Sequence, residues 1–228
     1  MMQYQTISQP GALGLEQNKV LRNTYMMLAL TMVPTMIGAF IGLSSNFSFM
    51  AQSPIMAPLL MFAVMMGMLF AVSALRNSVW GIAMLLGFTF VAGIFLGPIL
   101  QHALHLRNGA QLVGMAAGGT GLIFFSLATI ATVTKRDFSF MGKFLFIGLV
   151  LLVVASLANL FFAIPALSLT ISAIAVMLFS AYILYDVSRI INGGETNYVM
   201  ATMSLYLSIY NIFIYLLSLL MAFSGERD

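Results

Sequence analysis

The sequence has no cysteine and very little charge: nine Lys or Arg and six Asp or Glu among 228 residues. The missing cysteines exclude disulfides, thiol nucleophiles and thiolate metal sites, and leave the redox compartment open. The scarcity of charge says more. Soluble domains carry about 25% charged residues, whereas this chain has 7%, is 61% hydrophobic and has a mean hydropathy of +1.04. A soluble fold of this length could not hide so much apolar surface, so the bilayer must be the solvent. The net charge of +3 comes without a basic stripe, so nucleic acid is not expected as a partner. Residues 1–22 are polar and show no apolar core ahead of a small-residue cleavage site. The first apolar run is therefore expected to stay as an anchor.

Enzyme signatures are also missing. There is no HExxH, no GxSxG and no phosphate-binding loop. His102 and His105 form "HALH" in what is expected to be an outer loop, with no carboxylate beside them, so no metal site is expected. An intramembrane aspartyl protease needs two carboxylates that share a proton. Only Asp186 lies near a span on the inner side. Neither catalysis nor a cofactor is expected.

What is present is a set of long apolar runs. About 20 apolar residues cross the hydrocarbon core as a helix. Seven such runs are found, at roughly 24–43, 55–75, 79–100, 111–133, 143–163, 166–186 and 200–223. The break at Pro165 separates the fifth from the sixth. The fold class is thus an all-α membrane protein, a seven-transmembrane-helix bundle. It divides into a cytoplasmic tail (1–22), the helical domain (23–224) and a short outer tail (225–228). Lys and Arg favour the cytoplasmic side. Lys19, Arg22, Arg76, Lys135, Arg136, Lys143 and Arg189 fall on one side of the seven-span arrangement, and only Arg107 and Arg227 on the other. This bias predicts a cytoplasmic N-terminus and an outer C-terminus.

Small residues four apart allow helices to approach closely in lipid. Gly38/Gly42, Gly93/Gly97 and Gly114/Gly118 are read as such packing pairs. On the seventh span, Ser204, Ser208, Asn211, Tyr215 and Ser218 recur at spacings of 4, 3, 4 and 3, so they share one face. Lipid cannot satisfy their hydrogen bonds, so this face is expected to turn inward. It serves either as glue between helices or as the lining of a cavity.

The stretch "LYDVSRIINGGETNY" holds the remaining candidates. Asp186 is read near the inner end of the sixth span. Two roles fit it: an i,i+3 ion pair with Arg189, or a gate or ion contact facing the seventh span. Gly193 and Gly194 are expected to end the helix. Glu195 and Asn197 would then face the cytoplasm, as a plain connector or as a docking surface for a partner, with Lys19 and Arg22 as further contacts.

The stretches "KVLRNTY" (19–25), "FLGPIL" (95–100), "TKRDFSF" (134–140), "NGGETNYVMAT" (192–202) and "SLYLSIYNIF" (204–213) together resemble the Bax inhibitor-1 (TMBIM) superfamily, in particular its bacterial YccA-like branch. The resemblance runs across nearly the whole chain, in order. It implies a seven-helix fold with a central last helix. It also implies an inner-membrane protein that binds and modulates the membrane-bound ATP-dependent protease FtsH. The alternative it implies is a pH-sensitive calcium or cation leak, the only setting in which calcium would be a ligand. Leak members pair an aspartate at the end of the sixth helix with another on the seventh. Here "LYD" retains the first as Asp186, but "LYLS" places Ser208 at the second. Calcium prefers six to eight oxygen ligands, so this departure weakens the leak reading. A general membrane-quality-control scaffold is a third expectation.

Overall fold

The computed structural model describes residues 10–225. Residues 1–9 of the expected tail, and Arg227 with the rest of the expected outer tail beyond Gly225, lie outside that range. Among the described residues all regular structure is helical, as an apolar chain in lipid requires: a helix satisfies every backbone N–H and C=O within one segment. The elements are α1 (Pro10–Ser44), a short α2 (Ser48–Gln52), α3 (Met56–Leu75), α4 (Val79–Phe95), α5 (Gly97–Leu104), α6 (Gly109–Thr134), a 3-10 turn (Ser139–Met141), α7 (Gly142–Phe162), α8 (Pro165–Ile191) and α9 (Tyr198–Gly225). Seven stretches are long and apolar enough to cross a membrane, and they match the seven expected runs, most of them with longer ends.

Local chemistry sets the boundaries. Pro98 at the start of α5 lacks the N–H that would continue the helix from α4, so the third span bends at "LGP". His102 lies within α5, and His105 follows that helix as its C-cap, its Nδ1 2.6 Å from the Gln101 carbonyl. "HALH" is therefore helix end and not open loop. Ala163 adopts a left-handed conformation (φ 48°) and Ile164 is extended. Pro165 then begins α8, where its missing N–H costs nothing. The Asn159 side chain accepts from Ile164 N at 3.0 Å and stabilises this reversal. The segment expected as a free tail is helical from Pro10 onward and continuous with the first span.

The tightest contact in the bundle is between α1 and α4. A Cβ added to Gly38 would strike the Phe90 carbonyl, one at Gly42 the Ile94 carbonyl, and one at Gly93 the Thr35 carbonyl. One at Gly97 would meet both the Gly42 backbone and the Phe47 ring. These glycines therefore let two backbones touch. The third expected pair does not behave this way. Cβ atoms at Gly114 and Gly118 would meet nothing within 4 Å, because that face of α6 points away from every other helix.

Helix α9 is central: it packs against α1, α4, α5, α6 and α8. Its Leu205, Tyr206, Ile212 and Leu217 are fully buried. The second span (α3) packs mainly on α4, and the fifth (α7) on α8, at the periphery.

Gly93→Ala should lower stability by about 1–3 kcal/mol, the usual cost of overpacking a tight contact. Gly114→Ala should leave stability unchanged or raise it slightly through helix propensity. Thermal unfolding of both variants in mild detergent checks this. Equal losses would refute the α1–α4 contact.

Candidate functional site

Two loops and two helix ends meet at the end of the bundle that carries Lys19, Arg22, Arg76, Lys135, Arg136, Lys143 and Arg189. Helix α8 supplies the first tie. Ser188, fully buried, donates to the Arg136 carbonyl at 2.9 Å and accepts from Phe138 N at 2.9 Å. Asn192 adds a bond to the Ser188 carbonyl at 2.9 Å. The "TKRDFSF" loop between α6 and α7 is thus held on the end of α8. Within it, Asp137 accepts from Ser139 N at 2.8 Å, and hydrogen bonding from Ser139 holds its carboxyl below the usual carboxylate range.

The second tie is Asn197. Its side-chain oxygen accepts from Val199 N and Met200 N, both at 3.0 Å, which makes it the N-cap of α9. Its amide donates to the Arg76 carbonyl at 3.1 Å and to Asn77 Oδ1 at 2.8 Å, clamping the turn between α3 and α4. Asn197 is therefore a structural linchpin with its hydrogen-bonding groups already occupied.

The reversal between α8 and α9 engages the other candidates. Helix α8 stops at Ile191, and Gly193 takes a left-handed φ of 76°, as expected. Gly194 N and Glu195 N both donate back to the Arg189 carbonyl, at 2.7 and 3.2 Å. Arg189 donates to the Gly194 carbonyl at 2.9 Å, lies 3.8 Å from the Glu195 carboxylate and sits over the Tyr185 ring at 5.5 Å. Glu195 in turn accepts from Asn197 N at 2.9 Å.

This geometry corrects the expected Asp186–Arg189 ion pair. The only ion pair among the described residues is Arg189–Glu195. The chain reversal presents a carboxylate and a carbonyl to the guanidinium, while Asp186 stays behind in the bundle. Asp186 is also not at the helix end. The helix continues for more than a turn beyond it, and the residue is only 8% exposed. Helices α8 and α9 run antiparallel, and the Phe179 and Tyr215 rings stack at 6.4 Å. Seven residues from each, along the opposed directions, lie Asp186 and Ser208, so they sit at one height. Ser208 is buried as well, at 3% exposure.

The remaining stripe residues are less connected than expected. Asn211 donates to the Leu207 carbonyl at 2.8 Å and Ser218 to the Ile214 carbonyl at 2.9 Å, both within α9. The bonds from α9 to other helices come instead from residues that the stripe did not include: Thr202, which donates to the Thr24 carbonyl of α1 at 3.4 Å, and two tyrosines. Tyr206 Oη is 2.9 Å from the Thr35 hydroxyl of α1 and 3.4 Å from the Thr89 carbonyl of α4. Tyr210 donates to the Ala92 carbonyl of α4 at 2.9 Å. Their four-residue spacing was a visible signal. Lys19 and Arg22 are exposed on α1 and make no ion pair among the described residues. No cluster of three His, Cys, Asp or Glu side chains occurs among the described residues.

Tyr206→Phe should cost about 0.6 kcal/mol, and at most about 1.7, as such membrane hydrogen bonds do. Asn211→Leu should cost less, since it orphans no partner on another helix. Asn197→Ala should cost about 1–2 kcal/mol through loss of the cap. Unfolding in detergent ranks the three; an Asn211 effect larger than that of Tyr206 would contradict the assignment.

Comparison with known proteins agrees with this architecture. The family model described as "Inhibitor of apoptosis-promoting Bax1" matches residues 17–225. A protein of Escherichia coli strain K12 named "Modulator of FtsH protease YccA" is 41% identical over 206 residues, covering 90% of this chain and 91% of its own. An uncharacterised membrane protein of Vibrio cholerae is 40% identical, covering 90% of each chain. An uncharacterised protein of Neisseria meningitidis serogroup A is 39% identical over 92% of this chain and 93% of its own. With a family model spanning all seven apolar helices and full-length relatives near 40% identity, this multi-pass membrane chain belongs to the Bax inhibitor-1 family.

Proposed function

We propose that this protein is an inner-membrane partner of the ATP-dependent protease FtsH that modulates its activity without catalysing a reaction itself. The observation that carries the reading is the 41% identity, over nine-tenths of both chains, to a protein named as a modulator of that protease. A protein of the same name root in another Escherichia coli strain is called an inner membrane protein, with the same identity and coverage. Seven basic side chains gather at one end of the bundle, and among the described residues only Arg107 lies at the other. The positive-inside bias therefore supports a cytoplasmic N-terminus and an outer C-terminus. On that orientation, exposed Lys19 and Arg22 on the helical extension of α1 are available to a cytosolic ATPase. Glu195 and Asn197 are already engaged in holding the α8–α9 reversal, so the contact surface shifts toward α1. No cofactor enters this reading.

A second reading, a pH-sensitive calcium or cation leak, draws on the burial of Asp186 without an ion pair. The residue at its height on α9 is Ser208, a hydroxyl and not a second carboxylate. One carboxylate falls well short of the six to eight oxygens calcium prefers.

Overproduction should lengthen the half-life of a membrane substrate of FtsH, and FtsH should co-purify in mild detergent. Deleting residues 2–16 or replacing Lys19 and Arg22 with Glu should weaken both effects, and Asp186→Asn should spare them. Unchanged half-lives with no co-purification would refute the proposal. Calcium flux into proteoliposomes that disappears in Asp186→Asn would establish the leak instead.

A further inference from the structure

A deep groove of about 840 Å³ runs between α1 and α6, with α9 as its floor. Its wall on α1 includes Tyr25, Met32 and Met36, and its wall on α6 includes Gly121, Phe125 and Val133. Met36, Phe125 and Val133 are 55%, 69% and 73% exposed, so the groove opens sideways at membrane depth. The α6 lining runs from Ala117 to Val133, about 24 Å at 1.5 Å per residue. That is most of one crossing and longer than the hydrocarbon half of a single leaflet.

The two ends of the groove differ. At one end the Tyr25 hydroxyl is buried close to the Thr132 side chain, and it has no partner in hydrogen-bond geometry among the described residues. Thr132, on the opposite wall, donates to the Ala128 carbonyl of its own helix. Just beyond lie cations. Arg22 is one turn before Tyr25 on the same face of α1, and Lys135 follows the last turn of α6 with a left-handed φ of 50°. Both are exposed, and neither is in an ion pair among the described residues. The nearest acid in sequence, Asp137, turns its carboxylate to Ser139 N. Toward the other end the lining becomes Leu96, Ala117 and Phe213, with no charge.

An apolar trough with a buried hydroxyl and two exposed cations at one mouth matches an amphiphile with an anionic head. We propose that this groove is a binding site for an anionic phospholipid, with an acyl chain along α9 and the phosphate-bearing headgroup between Arg22 and Lys135. A transmembrane helix of another protein is the less fitting occupant, because it would leave the cationic mouth without a counter-charge. The site does not depend on the FtsH reading or on which end is cytoplasmic.

The test uses the full-length protein in detergent, titrated with phosphatidylglycerol or phosphatidylethanolamine of identical acyl chains and read by native mass spectrometry. Phosphatidylglycerol should bind more tightly. Arg22→Ala and Lys135→Ala should each weaken it roughly fivefold, the effect of one basic residue near an anionic surface, and leave phosphatidylethanolamine unchanged. Arg107→Ala, at the opposite end, should change neither. Gly121→Leu should reduce binding of both lipids by filling the groove; a Cβ there meets nothing within 4 Å. Ala117→Leu serves the same purpose if that variant does not fold. Equal binding of the two lipids would overturn the proposal, as would phosphatidylglycerol binding that persists in both groove-filled variants. So would a photo-crosslinking residue at position 125 that captures a protein and not a lipid in native membranes.

Discussion

The backbone contact between α1 and α4 is the constraint that the other helices accommodate. In lipid there is no hydrophobic gain from bringing two apolar helices together, so association depends on close packing and on polar bonds. Glycines at 38, 42, 93 and 97 provide the packing, since a methyl group at any of them would strike the opposite backbone or a side chain lodged against it. The polar bonds are added from α9. Tyr206 reaches a hydroxyl on α1 and a carbonyl on α4, and Tyr210 reaches the next turn of α4. The last helix therefore sits at the centre because it seals a pair that is already in contact. The peripheral positions of α3 and α7 follow from the same arrangement.

The basic end of the bundle is organised by side chains that look like loop residues in the sequence. Ser188 binds the α6–α7 loop and Asn197 binds the α3–α4 turn, so two connections are tied to α8 and α9. Arg189 is drawn into the chain reversal by Glu195 and the Gly194 carbonyl. That leaves Asp186 buried, at the height of Ser208. A single buried carboxylate, with a hydroxyl and not a second acid at its height on α9, lacks the mutual repulsion by which two neighbouring carboxylates shift each other's protonation. This chemistry separates the chain from the paired-carboxylate pattern and favours a role as a binding partner.

Much of the architecture was legible because the bilayer imposes a length. Seven runs near 20 residues could be counted, and Pro165 marked a boundary that hydropathy alone would have blurred. The helical period put five polar residues on one face of the seventh span, and of these Ser208 is buried while the other four are half-buried. What the period could not reveal was which partner each group chooses. Ser218 and Asn211 are short enough to fold back on the carbonyl four residues earlier, so they satisfy themselves. Tyrosine is long enough to reach a neighbouring helix, and the 206/210 pair carries contacts to α1 and α4 that the stripe residues do not make. Similarly, Gly114 and Gly118 have the spacing of a packing pair, but spacing does not show whether a second helix lies opposite. Asp186 was misplaced because the charged residues after it suggested a helix end, whereas α8 carries Ser188 and Arg189 within its last turns.

The claim on which the fold rests most directly is that α9 locks the α1–α4 pair through Tyr206. A double-mutant cycle between Thr35→Val and Tyr206→Phe, measured by equilibrium unfolding in detergent, isolates that link from the packing around it. The two losses should be less than additive, with a coupling of about 0.6 kcal/mol and an upper limit near 1.7. Strictly additive losses would mean that the two hydroxyls do not share a hydrogen bond, and would contradict the placement of the last helix against the first.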